Sequence, residues 1–127
     1  MSKGRTLVVE DDRDTQSLIK RLLENRGYEV TLAGDGIEAL LHLGKKHFDL
    51  VLSDIMMPNL DGFKLVEMIA QKGLKIPVIF LTARTAQEWE RKGFEVGAAA
   101  YLKKPIQKKT LLLRVEKVLK KSRPFAK

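Results

Sequence analysis

Short apolar runs alternate with segments of helical spacing along the whole chain, and this alternation leaves few folds open to it. Thr6-Leu7-Val8-Val9, Tyr28 to Ala33, Leu50 to Ser53, Pro77 to Leu81 and Ala99 to Leu102 have the length and content of strands. The intervening and final segments predict helices over Arg13 to Arg26, Gly36 to Leu43, Phe63 to Gln71, Ala86 to Glu95 and Gln107 to Lys121, the fourth being the most polar. Leu18, Ile19, Leu22 and Leu23 mark the apolar face of the first helix, and Leu111, Val115 and Val118 that of the last. Gly27, Gly44, Gly73 and Gly97 stand just beyond the first four helices, where glycine ends a helix readily. The run Val78-Ile79-Phe80-Leu81 is uniformly apolar, as a strand covered by helices on both faces should be. Five such β-α units predict an α/β fold: one open, doubly wound parallel sheet with right-handed crossovers.

A chain of 127 residues is one domain, long enough for a single real core. It has no cysteine, which excludes disulfides, thiolate metal sites and cysteine nucleophiles. Its longest apolar stretch, Ile76 to Ala83, is far too short to span a bilayer. No hydrophobic signal region follows Lys3 and Arg5, and the lack of cysteine is consistent with the cytoplasm, the expected compartment. The net charge is +8, but residues 103–127 alone carry ten Lys/Arg against Glu116, so the excess belongs to the last helix and tail. A solvated basic helix is the plain reading; a face for DNA, an acidic partner or an anionic surface is the other. No aromatic residues interleave these lysines and no helix-turn-helix is visible, so direct nucleic-acid binding is not expected.

Chemistry gathers at the strand ends. Glu10-Asp11-Asp12 follows the first strand, Asp54 the third, Thr82-Ala83 the fourth and Lys104-Pro105 the fifth. Ligands of doubly wound sheets collect at the carboxyl ends of the strands, near the point where the strand order reverses. If the first and third strands are neighbours, three carboxylates crowd one pocket. Charges that close repel, and the cluster should recruit a hard, oxygen-preferring cation, Mg²⁺ first. Asp54 then reads as a nucleophile able to take a phosphoryl group as an acyl phosphate. The Thr82 hydroxyl can donate to a phosphoryl oxygen, and Lys104 can supply a cation to Asp54 or to the phosphoryl group. In the turn after Asp54, Asp61-Gly62 reads as turn chemistry, with glycine free to take a positive φ.

The set Glu10-Asp11, Asp54 with Met57-Pro58 and Asp61-Gly62, Thr82-Ala83 and Lys104-Pro105 resembles the receiver domain of bacterial two-component response regulators, the chemotaxis receivers among them. The resemblance covers about residues 5–121. It implies a flavodoxin-like (βα)5 sandwich with strand order 2-1-3-4-5, a receiver domain over 1–121, and a loose basic tail or start of a linker over 122–127. It implies an aspartate, Asp54, phosphorylated by a histidine kinase or phosphotransfer protein. Mg²⁺ or Mn²⁺ would be held by Asp11 and Asp54 directly, by Glu10 through water and by the Met56 carbonyl. Lys104 rather than Lys103 matches the family lysine because it precedes proline, in a bond that is often cis in the family. Thr82 and Tyr101 would form the switch, the hydroxyl moving toward the phosphoryl group and the ring turning into the vacated space. The expected readout face is the fourth helix, fifth strand and fifth helix, acting on a downstream protein or a fused effector. The kinase would dock on the first helix, where Asp14, Thr15, Leu18, Arg21 and Leu22 match recognition positions; for Leu18 and Leu22, spacing does not separate docking from core.

Some positions depart from the commonest pattern. Ala99-Ala100 stands where many DNA-binding regulators carry two acids, Thr110 replaces an acid, and Arg114 lacks those partners. A monomer, or a weak phosphorylation-dependent dimer, is therefore expected. Ile106 replaces a frequent phenylalanine, and Met56 and Arg84 occupy positions that tune phosphoryl lifetime in the family. His42 and His47 share no ligand spacing, Trp89 reads as a partly exposed helical residue, and Gly34-Asp35-Gly36 as a helix entry. The chain is expected to process no external metabolite, helping only its own phosphorylation and hydrolysis. A small metal-dependent phosphohydrolase is the rival enzyme reading; such enzymes usually need a second acid where Met56 stands. A degenerate receiver that only binds is the third reading, and the complete set Asp11, Asp54, Thr82 and Lys104 argues against it.

Overall fold

Each apolar run pairs with its neighbours in parallel, and the sheet order follows from where the crossovers place them. The computed structural model describes residues 2–83, 91–92 and 94–122. Its strands are β1 (Arg5–Val9), β2 (Glu29–Ala33), β3 (Leu50–Asp54), β4 (Val78–Thr82) and β5 (Ala100–Lys103). Its helices are α1 (Arg13–Glu24), α2 (Gly36–Leu43), α3 (Gly62–Gln71) and α4 (Lys108–Ser122), α4 being the last helix of the sequence reading. All strand pairs are parallel, in the order β2-β1-β3-β4-β5, which is the flavodoxin-like order. The helix expected over 86–95 lies largely outside the described residues, as do Arg84, Trp89 and the tail 123–127; residues 91, 92, 94 and 95 are helical.

Side chains alternate across the sheet, so each strand feeds two cores. Leu7, Val9, Val51, Val78 and Phe80 face one side, where they pack with Ala39 and Leu43 of α2 and Phe63, Leu65, Val66 and Ile69 of α3. Val8, Leu50, Leu52, Ile79 and Leu81 face the other, with Ile19 and Leu23 of α1 and Leu111, Val115 and Val118 of α4. Phe63 and Phe80 meet edge to face, with ring centroids 5.4 Å apart. Two-sided burial explains why Leu7-Val8-Val9, Leu50-Val51-Leu52 and Val78 to Leu81 are unbroken apolar runs rather than alternating ones.

Several expected bounds shift by a residue or two, and some shifts matter. β3 runs on to include Asp54, and β4 to include Thr82, so both residues sit within the sheet rather than in the following turn. Three helices open on an aspartate at the carboxyl edge. Asp12, Asp35 and Asp61 accept from the backbone N–H three residues on, at 2.9, 2.8 and 2.8 Å. Gly27 and Gly73 take positive φ just beyond α1 and α3, as helix-ending glycines do.

Candidate functional site

The strand order reverses at β1, which has β2 on one side and β3 on the other. Val9 stands opposite Ser53 in register, so Glu10 and Asp54 leave neighbouring strands at the same level. Glu10 is fully buried and Asp54 is 7 % exposed, while Asp11 faces solvent. Carboxylate oxygens of Glu10, Asp11 and Asp54 lie within 4.8 Å of one another. The third acid of the run serves the helix instead. Asp12 Oδ2 accepts both the N–H and the hydroxyl of Thr15, at 2.9 and 2.6 Å, and starts α1. Those bonds hold its carboxyl below the usual range.

Lys104 closes the pocket from the far side. Its N–H donates to the Thr82 carbonyl at 2.7 Å, which extends the β4–β5 pairing by one residue, and the Lys104–Pro105 bond is cis. The ammonium donates to Asp54 Oδ2 at 2.8 Å and forms an ion pair with Glu10 Oε1. Partial burial opposes the lysine's charge, but hydrogen bonds to Asp54 and then Glu10 outweigh it and raise its pKa. For Glu10 burial prevails, and the carboxyl is pushed up despite Lys104 and the Asp12 N–H on Oε2 at 3.0 Å. Glu10 Oε1 is buried and accepts no hydrogen bond of regular geometry beyond that ion pair. Two of the three acids, Glu10 and Asp54, share the Lys104 ammonium, and all the carboxylate ligand atoms of the cluster are hard oxygens. Such a cluster can hold a hard divalent cation.

The loop from Ile55 to Asp61 lies against Asp54. The Met56 N–H donates to Asp54 Oδ1 at 3.2 Å, and the Met56 side chain is exposed. The Gly62 N–H returns to the Ile55 carbonyl at 2.8 Å. Gly62 does not take the positive φ expected for it; a Cβ there would stand 2.6 Å from the Asp54 carbonyl oxygen and 3.0 Å from Ile55 Cα and Phe80 Cε1. Glycine is required by close approach, and the positive φ belongs to Asn59. Asn59 Nδ2 donates to Asp35 Oδ2 at 3.0 Å. Sequence reasoning reads Gly34-Asp35-Gly36 correctly as a helix entry but has no signal for this partner, because the two residues are 24 apart in the chain.

Thr82 is buried at the end of β4, and Tyr101 is half-buried in β5, opposite Phe80 and packed against the α2–α3 core. Among the α1 candidates, Asp14 and Arg21 are exposed and Thr15 is half-buried on Asp12. Leu22 packs against the α1–α4 core, whereas Leu18 is half-buried and outside both cores. His47 is largely exposed beside Asp49, and His42 lies beside Glu38 on α2; neither joins the acidic cluster. Lys108, Lys109, Arg114, Lys117, Lys120 and Lys121 face solvent on α4. Among the described residues, no helix is long and apolar enough to cross a membrane.

This fold and this pocket define a receiver, and comparison with known proteins agrees. Residues 6–116 match the response regulator receiver domain model, and the chain belongs to that family. It is 37% identical over 121 residues to the transcriptional regulatory protein RprY of Bacteroides fragilis, covering 95% of this chain and 51% of that one. It is 42% identical over 118 residues to the sensor histidine kinase RcsC of Escherichia coli, covering 90% of this chain and 12% of RcsC. The receiver domain of the Francisella response regulator 1452 superimposes with a TM-score of 0.89 at 33% identity, covering 94% of this chain and 99% of that one. The chain thus spans about half the length of RprY and a small part of RcsC.

Proposed function

We propose that this chain is a phospho-accepting switch of a two-component system. Asp54 takes a phosphoryl group from a phosphohistidine on a histidine kinase or phosphotransfer protein. One Asp54 oxygen attacks phosphorus as the P–N bond breaks. The bonding pair returns to the imidazole nitrogen, which takes a proton from solvent, and Asp54 becomes an acyl phosphate. Asp11, Asp54, the Met56 carbonyl and, through water, Glu10 would hold Mg²⁺ or Mn²⁺, which when bound would supply charge neutralisation for the phosphoryl oxygens. Lys104 donates to the new phosphoryl group, and Thr82 offers its hydroxyl to another of its oxygens. The acyl phosphate carries about two negative charges where the Asp54 carboxylate carried one, and this change in charge and size drives Thr82 and Tyr101 to rearrange. The altered face comprises β5, α4 and the helical segment before β5, and its basic α4 favours an acidic partner or attached effector. The kinase docks on α1 through Asp14, Arg21 and Leu18. Beyond its own phosphorylation and dephosphorylation the domain converts no substrate, and it works in the cytoplasm over residues 1–121, as a monomer or weak dimer.

The observation that carries this reading is the setting of Asp54, a buried carboxylate ending a strand, bonded to Lys104 and clustered with Glu10 and Asp11. The test is intact mass after incubation with acetyl phosphate, with and without Mg²⁺, on wild type and Asp54→Ala. One added phosphoryl group that requires both Mg²⁺ and Asp54 is expected. Steady phosphate release without an adduct would mean either a very short-lived phosphoryl group or a phosphohydrolase, and trapping with a beryllofluoride analogue would separate the two. No adduct and no turnover would leave a binding module.

A further inference from the structure

Asn59 is the one non-glycine residue among those described with a positive φ, at 70°. Across it, the Leu60 N–H donates to the Pro58 carbonyl at 2.8 Å. A bond of that span around a positive φ makes a γ-turn of the rare, strained kind. Such strain persists only where the surroundings hold it, and it gathers at working sites. Here α2 holds it twice. Asp35 Oδ2 accepts the Asn59 amide at 3.0 Å while its Oδ1 accepts the Glu38 N–H at 2.8 Å, so one carboxylate caps the helix and grips the loop. Beside it, a Cβ on Gly36 would stand 2.8 Å from Leu60 Cβ, Cδ2 and carbonyl oxygen, which means the loop lies flush on the first turn of α2. The same loop is pinned at its ends by Met56 N–H on Asp54 Oδ1 and by Gly62 N–H on the Ile55 carbonyl.

We propose that Asp35 and Asn59 are positioning residues of the Asp54 site, clamping the strained β3–α3 loop onto α2 so that the Met56 main chain keeps its place beside the acidic cluster. The proposal rests on the reading of that cluster as a cation site and of Asp54 as the phosphoryl acceptor. Asp35 and Asn59 act through Met56 and touch no phosphoryl oxygen. Their effect is that of outer partners that orient ligands, whose loss weakens metal binding without removing a ligand.

Three variants separate the clamp from its neighbours. Asp35→Ser keeps an oxygen for the Glu38 N–H but is too short to bond Asn59 as well. Asn59→Gly keeps the positive φ and loses the donor. Asp35→Asn keeps a side-chain oxygen for the cap and an amide able to pair with Asn59. Each would be measured for thermal unfolding, for Mg²⁺ affinity by calorimetry with Mg²⁺ alone, for amide hydrogen exchange across residues 56–60, and for phosphorylation by acetyl phosphate. Asp35→Ser and Asn59→Gly are expected to weaken Mg²⁺ binding about tenfold, to speed exchange in the loop and to melt near wild type. Their double variant should be no worse than either alone, because both remove one bond, and Asp35→Asn should recover most of the affinity. Wild-type Mg²⁺ affinity and exchange in the folded single variants, or losses that simply add, would overturn the clamp. A wild type that binds Mg²⁺ yet takes no phosphoryl group would overturn the acceptor reading alone, and the affinity and exchange comparisons would still decide the clamp.

Discussion

In the middle of the sheet Leu7, Val8, Leu52, Ile79 and Leu81 are fully buried and carry only hydrocarbon. One to three residues further along the same strands, or just past their ends, Glu10, Asp54 and Thr82 are almost as buried and carry oxygen. Burial in the middle stabilises the fold, at about 25 cal/mol per Å² of apolar surface. Burial at the carboxyl edge costs free energy unless each polar group finds a partner, and Glu10 ionises less readily for that reason. The apolar layers behind the edge are what hold the acids in place. Stability and chemistry are therefore written on the same strands but in different residues, and substitutions should separate them.

The largest effect is expected at the edge. Asp54→Ala should abolish the phosphoryl adduct seen by mass, with no loss of thermal stability, because it removes one of three crowded carboxylates. A lowered melting temperature would show that Asp54 also supports the fold. Leu7→Ala tests the middle: it should cost about 2–5 kcal/mol in urea unfolding, while the protein that remains folded still accepts a phosphoryl group. Gly62→Ala lies where the two regions meet, since its Cβ would press on the Asp54 carbonyl. It should lose roughly 1–3 kcal/mol and also slow phosphorylation; losing only one of the two would place Gly62 wholly in one region.

The smallest effect concerns α2. Asp35→Ala removes a helix cap and should cost about 1 kcal/mol near neutral pH. The Glu38 N–H, then the Asn59 amide, hold the Asp35 carboxyl below its ordinary value of 3.8. Its contribution is fully present above that value and is lost as pH falls through the lower folded value. Wild type and Asp35→Ala should therefore converge in urea unfolding at the acid end of the range. A gap that persists there would mean that the uncharged carboxyl caps the helix as well.

Much of this was legible along the chain. The apolar runs became strands, and Asp54, Thr82 and Lys104 fell at strand ends because a strand's length and the residue that follows it are local properties. From the residues alone, without the family resemblance, the shared work of Glu10-Asp11-Asp12 was not legible. One acid is buried, one is exposed and one caps α1, and adjacent residues of the same type do not announce that division. Nor was the separation of Leu18 from Leu22: both fit the apolar spacing of α1, and only the position of the sheet puts Leu22 against the core. Gly62 was read as a turn glycine because proximity to Asp54 leaves no local mark.

By itself, then, the sequence determined the kinds of element, their order and the chemical groups at their ends, since periodicity and turn chemistry act over a few residues. Only the tertiary structure decided which of those groups meet. Lys104 reaches Asp54 across 50 residues of chain and Asn59 reaches Asp35 across 24. Those meetings depend on where each crossover sets its strand in the sheet, and that is fixed by the packing of whole faces rather than by any residue's neighbours in the chain.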